Sequence, residues 1–458
     1  VTVINTSSIK TTSDQIFNDA VQLDSNTTLD SSANGSITFN STLDSVTGET
    51  NSLLLNTFGT TTFNDLVGST DRLSTLTTNA GGTTVINASS VETTSNQTYN
   101  DAVRVDTNTT LDSNSSGNIT FNSSLDSVTG ETNSLLLNTS GTTTFNGVVG
   151  NADRLSTLTT DAGGSTVINA SSIKTVTNQT FNDAVKLDSN TTLDSNTSGN
   201  VTFNSTLDST SGEANSLLVN TSGTTILNGV VGNTDRLSTL TTDAGGSTVI
   251  NTSSIKTVTD QTFHDAVKLD TNTTLDSLSS GNVTFNSTLD SASGETNSLL
   301  VYTSGTTTFN SLVGNADRLS TLTTNAGGTT IVNASSVKTT SDQTFNDAVK
   351  LDTNTTLDSN TSGNITFNST LDSASGEANS LVVNTSGTTT FNGLVGNADR
   401  LSTLTTDAGG TTVINTSTIK TASDQTYNDT VKLDSNTTLD SNASGNVTFN
   451  STLDLSLI

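Results

Sequence analysis

The sequence predicts an all-β chain wound as a β-solenoid, and three observations carry that expectation. The 458 residues repeat at a fixed step of 82 (84 − 2, 166 − 84): TVIN begins at Thr2 and returns at Thr84, Thr166 and Thr248, with close versions at Thr330 and Thr412. Each unit holds short runs rich in Thr, Val, Ile and Phe that alternate as strands do, separated by Asn- and Gly-rich turns. No stretch shows a helical period with caps. Short strands locked to a long period suit a fold in which stacked neighbours close the core that one winding cannot close alone.

The elements follow in order. Each β-rich run ends in a large apolar residue and an Asn: Ile4-Asn5, Phe17-Asn18, Phe39-Asn40 and Phe63-Asn64, with Ile86-Asn87 opening the next copy. The intervals between these endings are 13, 22, 24 and 23 (17 − 4, 39 − 17, 63 − 39, 86 − 63), and together they fill one unit. Residues 1–458 thus read as a single continuous solenoid of about 5.6 repeats (458/82). The units are 2–83, 84–165, 166–247, 248–329, 330–411 and the partial 412–458. About four windings per unit is the leading expectation. The 13-residue interval is too short for a winding, so three windings of about 27 residues stay open. At roughly 4.8 Å per strand, four windings make a unit about 19 Å long and the chain a rod on the order of 105–110 Å.

The aromatic residues occupy three equivalent positions per unit. One set is Phe17, Tyr99, Phe181, Phe263, Phe345 and Tyr427; a second is Phe39, Phe121, Phe203, Phe285, Phe367 and Phe449. The third is Phe63, Phe145, Phe309 and Phe391, with Leu227 in the third copy. Phe dominates and Leu substitutes, so these read as interior stacking columns rather than a carbohydrate platform. The following Asn residues (Asn5, Asn18, Asn40, Asn64, Asn87, Asn100, Asn122 and Asn146) read as corners whose amides bond from winding to winding, facing inward or laddered. His264 replaces one such Asn and reads as a tolerated corner substitution.

Composition excludes several chemistries. The absence of Cys removes disulfides and thiol nucleophiles, and a single His removes multi-His metal sites. A net charge of −28 argues against nucleic acid, and no apolar run is long enough to insert in a membrane. No catalytic constellation is visible, so no enzyme, cofactor or metal is expected. Asp-rich LDSNTTLDSN lacks both the EF-hand and the calcium-roll pattern and reads as solvated surface. Asp-Arg pairs such as Asp153-Arg154 read as surface turn charges. Thr clusters sit irregularly within the unit, so no Thr ladder for ice binding is expected along a face. Among many Asn-x-Ser/Thr sequons, Asn26 and Asn108 are the better acceptors in a secreted protein.

RLSTLTTDAGGTTVIN, DQTYNDTVKL and GNVTFNSTLD, between Arg400 and Asp454, resemble the repeat of filamentous-haemagglutinin-type bacterial exoproteins, and the likeness recurs in every copy. That resemblance implies a right-handed parallel β-helix, exported by two-partner secretion or as an autotransporter. It also implies an extracellular or cell-surface fibre used in adhesion or biofilm. The end Asp454-Leu455-Ser456-Leu457-Ile458 departs from LDSVTG, and the chain starts at Val1, so it reads as an excerpt. The expected role is the shaft of such a fibre. The alternative is a distributed binder whose Thr, Ser and Asn faces contact glycans, surfaces or sister fibres.

Overall fold

The computed structural model describes residues 1–360, 362–442 and 444–455, so the divergent end Ser456, Leu457 and Ile458 lies outside it. The chain forms two compact units, Val1–Gly229 and Val230–Ile458. Each is a three-faced solenoid of parallel strands, and no helix occurs among the described residues.

The first repeat shows the build. Its strands are β1 (Thr2–Ile4), β2 (Ser8–Thr11), β3 (Gln15–Phe17), β4 (Val21–Leu23), β5 (Thr27–Ser31), β6 (Ile37–Phe39), β7 (Leu43–Ser45), β8 (Leu53–Thr57), β9 (Thr60–Phe63) and β10 (Leu76–Thr78). Face one stacks β1, β4, β7 and then a single bridging residue, Val67. Face two stacks β2, β5, β8 and β10. Face three stacks β3, β6 and β9. Strand alternation decides what is inside: in β5, Thr27, Leu29 and Ser31 are buried while Thr28 and Asp30 face out.

Ten strands and the Val67 bridge make eleven wall segments per repeat. Three faces consume three segments per winding, so a repeat spans 11/3, or three and two-thirds, windings. Neighbouring windings are accordingly offset by 19 to 24 residues along face three, 22 of them from Phe17 to Phe39. The winding number is close to four and excludes three. The fraction has a geometric result: a repeat does not return to its starting face. The second copy of β2, Ser90–Thr93, follows Val67 on face one. The third, Ser172–Thr175, lies on face three through the bridges Leu125 to Val149 to Ile173. In the second unit, Ser254–Thr257, Ser336–Thr339 and Thr418–Thr421 again occupy three different faces.

The aromatic core follows this rotation. Residues at equivalent positions do not stack on each other; the three of one repeat do. Phe17, Phe39 and Phe63 stack with centroids 5.1 and 5.5 Å apart on face three. Tyr99, Phe121 and Phe145 stack at 5.3 and 5.6 Å on face two, continuing the column from Thr78. Phe181 and Phe203 stack at 5.3 Å on face one, where Leu227 completes the triplet. Phe263, Phe285 and Phe309, then Phe345, Phe367 and Phe391, then Tyr427 and Phe449 repeat the pattern in the second unit. Burying one such ring contributes about 1.5–3 kcal/mol, and stacking adds roughly 0.5–1.5 kcal/mol.

Candidate functional site

The features open to chemistry are turns and ladders laid on this wall. The corner Asn residues form ladders on the outside. Asn40 donates Nδ2 to Asn18 Oδ1 and Asn64 to Asn40, both at 2.8 Å. Asn122 donates to Asn100 at 2.6 Å and Asn146 to Asn122 at 2.7 Å. These side chains are largely exposed, so the inward-facing version of the expectation gives way to a solvent-facing ladder. The corner geometry explains it: the preceding Phe points in, so the Asn must point out. Asn5 and Asn87 have no ladder bond among the described residues. His264 keeps the ladder, with its Nδ1 2.9 Å from Asn286 Nδ2.

Thr residues also form ladders, which corrects the reading of irregular Thr clusters. Thr77, Thr98, Thr120 and Thr144 face outward in four successive windings, as do Thr323, Thr344, Thr366 and Thr390. Their sequence contexts differ, and only the unequal winding lengths bring them into line. Each run is bounded by an apolar residue, Leu54 and Val167 for the first.

Arg154 is not a free turn charge. It projects from a loop extruded between the bridging residues Val149 and Leu155. Gly150 opens that loop at φ 65°, where an added Cβ would lie 2.1 Å from the Lys174 carbonyl oxygen. The guanidinium donates to the carbonyls of Thr175 (3.0 Å) and Asp194 (3.2 Å) and pairs with the Asp194 carboxylate at 2.6 Å. It thereby ties three windings together. Arg72, Arg236, Arg318 and Arg400 do the same with Asp112, Asp276, Asp358 and Asp440. Arg400 holds the Asp440 carboxyl below its usual range, chiefly by hydrogen bonding. Neighbouring Asp153 instead accepts a hydrogen bond from Thr129.

A buried carboxylate went unread. Asp183 is 4 % exposed and accepts hydrogen bonds from Thr160 (2.8 Å) and Thr166 (2.9 Å). Asp101, Asp265, Asp347 and Asp429 are buried alike. Burial pushes all five carboxyls above the usual range, against the smaller opposing effect of their hydroxyl donors. Each follows a corner Asn in the chain, or His264 in the fourth copy, and Asn-Asp looks like a polar turn. The only sequence signal is alternation: inward Phe181 and outward Asn182 place Asp183 inside.

Beside each aromatic triplet sits a buried Gln. Gln97 Nε2 donates to the carbonyls of Val91 (3.0 Å) and Asp112 (2.9 Å), and Tyr99 Oη donates to Gln97 Oε1 at 3.0 Å. Gln179 keeps both amide bonds, but with Phe181 in place of Tyr its Oε1 has no partner among the described residues.

Finally, a shallow groove lies on the wall where a strand begins, as at Thr109–Ser113 after Asn108. Asn108, Thr110, Leu136 and Thr159 line it in one repeat; Asn272, Thr274, Leu300 and Thr323 line its counterpart. Leu136 and Leu300 are 38 % and 37 % exposed, apolar side chains facing water in mid-strand. Comparison with family models, curated proteins and solved structures finds no match.

Proposed function

We propose that the chain is the shaft of a secreted bacterial surface fibre of the filamentous-haemagglutinin type, carrying other parts of a longer protein away from the cell in adhesion or biofilm. The observation that carries this reading is the wall itself. Within each unit every winding is bonded in parallel to the next, with aromatic, Asn and Arg–Asp ties repeated at each copy. Such a ladder shares an axial load over many bonds, and repeat number sets reach. The acidic surface supports the same reading, because like charge discourages sideways sticking of fibres. The export route and cell-surface location rest on the repeat's resemblance. No catalytic role is proposed for any residue.

Deleting one internal 82-residue repeat tests the reading. A repeat of three and two-thirds windings at about 4.8 Å each advances about 18 Å. Scattering should show that loss of length, and the fibre should lose reach while the affinity of any terminal module stays unchanged. Binding that instead falls in proportion to copy number would show a distributed binder contacting glycans or sister fibres.

A further inference from the structure

We propose that the outward grid of the second repeat, centred on Thr120, binds ice. One winding presents Asn96, Thr98 and Asn100; the next presents Asn118, Thr120 and Asn122; a third presents Thr142, Thr144 and Asn146. Hydrogen bonds fix both flanks. Asn96 Oδ1 accepts the Asn118 N–H and Asn118 Oδ1 accepts the Thr142 N–H, each at 2.8 Å. On the other side Asn122 donates to Asn100 at 2.6 Å and Asn146 to Asn122 at 2.7 Å. The three central hydroxyls have no protein partner among the described residues, so their hydrogen bonds go to water. Only the second repeat combines three central Thr residues with uncharged flanks. Asp14, Asp260 and Asp342 stand where it has Asn96, and Ile226 stands where it has Thr144.

Flatness and charge are independent observations that point to the same ligand. The rings behind the grid, Tyr99, Phe121 and Phe145, lie only 11° and 4° from parallel, where neighbouring strands of an ordinary sheet turn by roughly 20–25°. Such a backing keeps the Thr residues in one plane, and β-branching restricts each side chain about χ1. None of the nine side chains ionises, although the chain carries a net charge of −28. In the central column charge returns only beyond Val167, at Lys186. The grid therefore offers methyls, hydroxyls and amides at the strand spacing of roughly 4.8 Å, close to the repeat of water oxygens on a growing face of ice. A protein partner fits poorly: the grid covers roughly 200 Å², against about 800 Å² a side in a stable contact. Against a crystal lattice every group of the grid meets an equivalent site, so a small area suffices. Ice growing between adsorbed chains must bulge, and a curved front freezes at a lower temperature, so growth stalls below the melting point.

The test reads the gap between melting and freezing of a single ice crystal in the purified chain, and the partition of the chain into slowly grown ice, both against albumin at equal molarity. The expected result is a wider gap than albumin gives and enrichment in the ice. Thr120→Lys should return both readings to the albumin value. Thr366→Lys, the same change in the grid that already holds Asp342, should leave them unaltered. Matching urea midpoints exclude unfolding as the cause, and Thr98→Lys makes the same break where Thr120→Lys fails to fold. A parent chain no different from albumin, a gap that survives the Lys substitution, or an equal loss in Thr366→Lys overturns the proposal. None of these outcomes bears on reach, so the shaft reading is tested separately by repeat deletion.

Discussion

At the ring that heads each triplet, the wall around Tyr99 and the wall around Phe181 differ by one oxygen atom. Both place an aromatic ring at the head of a triplet, a buried Gln two residues before it and a buried Asp two residues after it. Around Tyr99 the Gln97 carbonyl oxygen receives a hydrogen bond; around Phe181 the Gln179 carbonyl oxygen receives none. The ring stacking is equal, with centroids 5.3 Å apart in both. Shape therefore sets the fold of this segment, and the polar bond is an optional addition that four of six copies omit. A buried acceptor left alone costs about 1–3 kcal/mol, which a long ladder tolerates because neighbouring windings hold it in place.

The largest break in this comparison comes from removing the Gln. Gln97→Leu leaves the Tyr99 hydroxyl buried without a partner, whereas Gln179→Leu creates no new orphan on the ring side. The first should destabilise by about 1–3 kcal/mol more than the second in urea unfolding.

Acid titration comes next, because both walls share the buried Asp. Its folded pKa is raised by burial, so the folded state holds the proton more tightly than the unfolded chain. The associated stability is full below the unfolded value of about 3.9 and is lost as pH rises through the raised folded value. Unfolding midpoints should therefore rise as pH is lowered from 7 towards 4, and Asp183→Asn should flatten part of that slope. An unchanged slope in the variant would assign the effect to relief of the −28 net charge instead.

Phe181→Tyr sharpens the comparison directly. It should supply Gln179 with its missing donor and stabilise by about 1 kcal/mol, while Tyr99→Phe should cost a similar amount. Equal midpoints in the parent chain and both variants would show that the hydroxyl bond has no net value here. The smallest effect is expected at Thr143, buried with an unpartnered hydroxyl in the same stacked face. Thr143→Val should stabilise by roughly 0.5 kcal/mol or more, since it removes an unpaired group at nearly constant volume.

Much of this was legible in the residues. Phe39 in SITFN declares a strand and its inward face at once, because alternation and an aromatic ring agree. The 82-residue step gave the length of the unit but not how it winds. Successive register steps, each the difference of two paired positions, run 22 from Phe17 to Phe39, 24 on to Phe63, 23 to Ile86 and 19 to Val105. No single spacing announces a side. Hence equivalent Phe residues look like columns and are not, and scattered Thr residues look irregular and fall into line. Arg154 finds its carboxylate 40 positions downstream, a separation meaningful only once the winding is known. Asp183 was missed because its charge outweighed its position in the alternation.

The one-third by which a repeat falls short of four windings has a genetic consequence. Near-identical repeats invite recombination that drops or adds a copy. Within a unit, losing one copy would shorten the wall and also turn everything beyond the junction by one face, a rotation of about a third of a circle. A second loss would turn it by a further face, and neither one nor two losses restores the original facing. Variants differing by one repeat would thus present the same surface groups in a new direction, so length and azimuth evolve together.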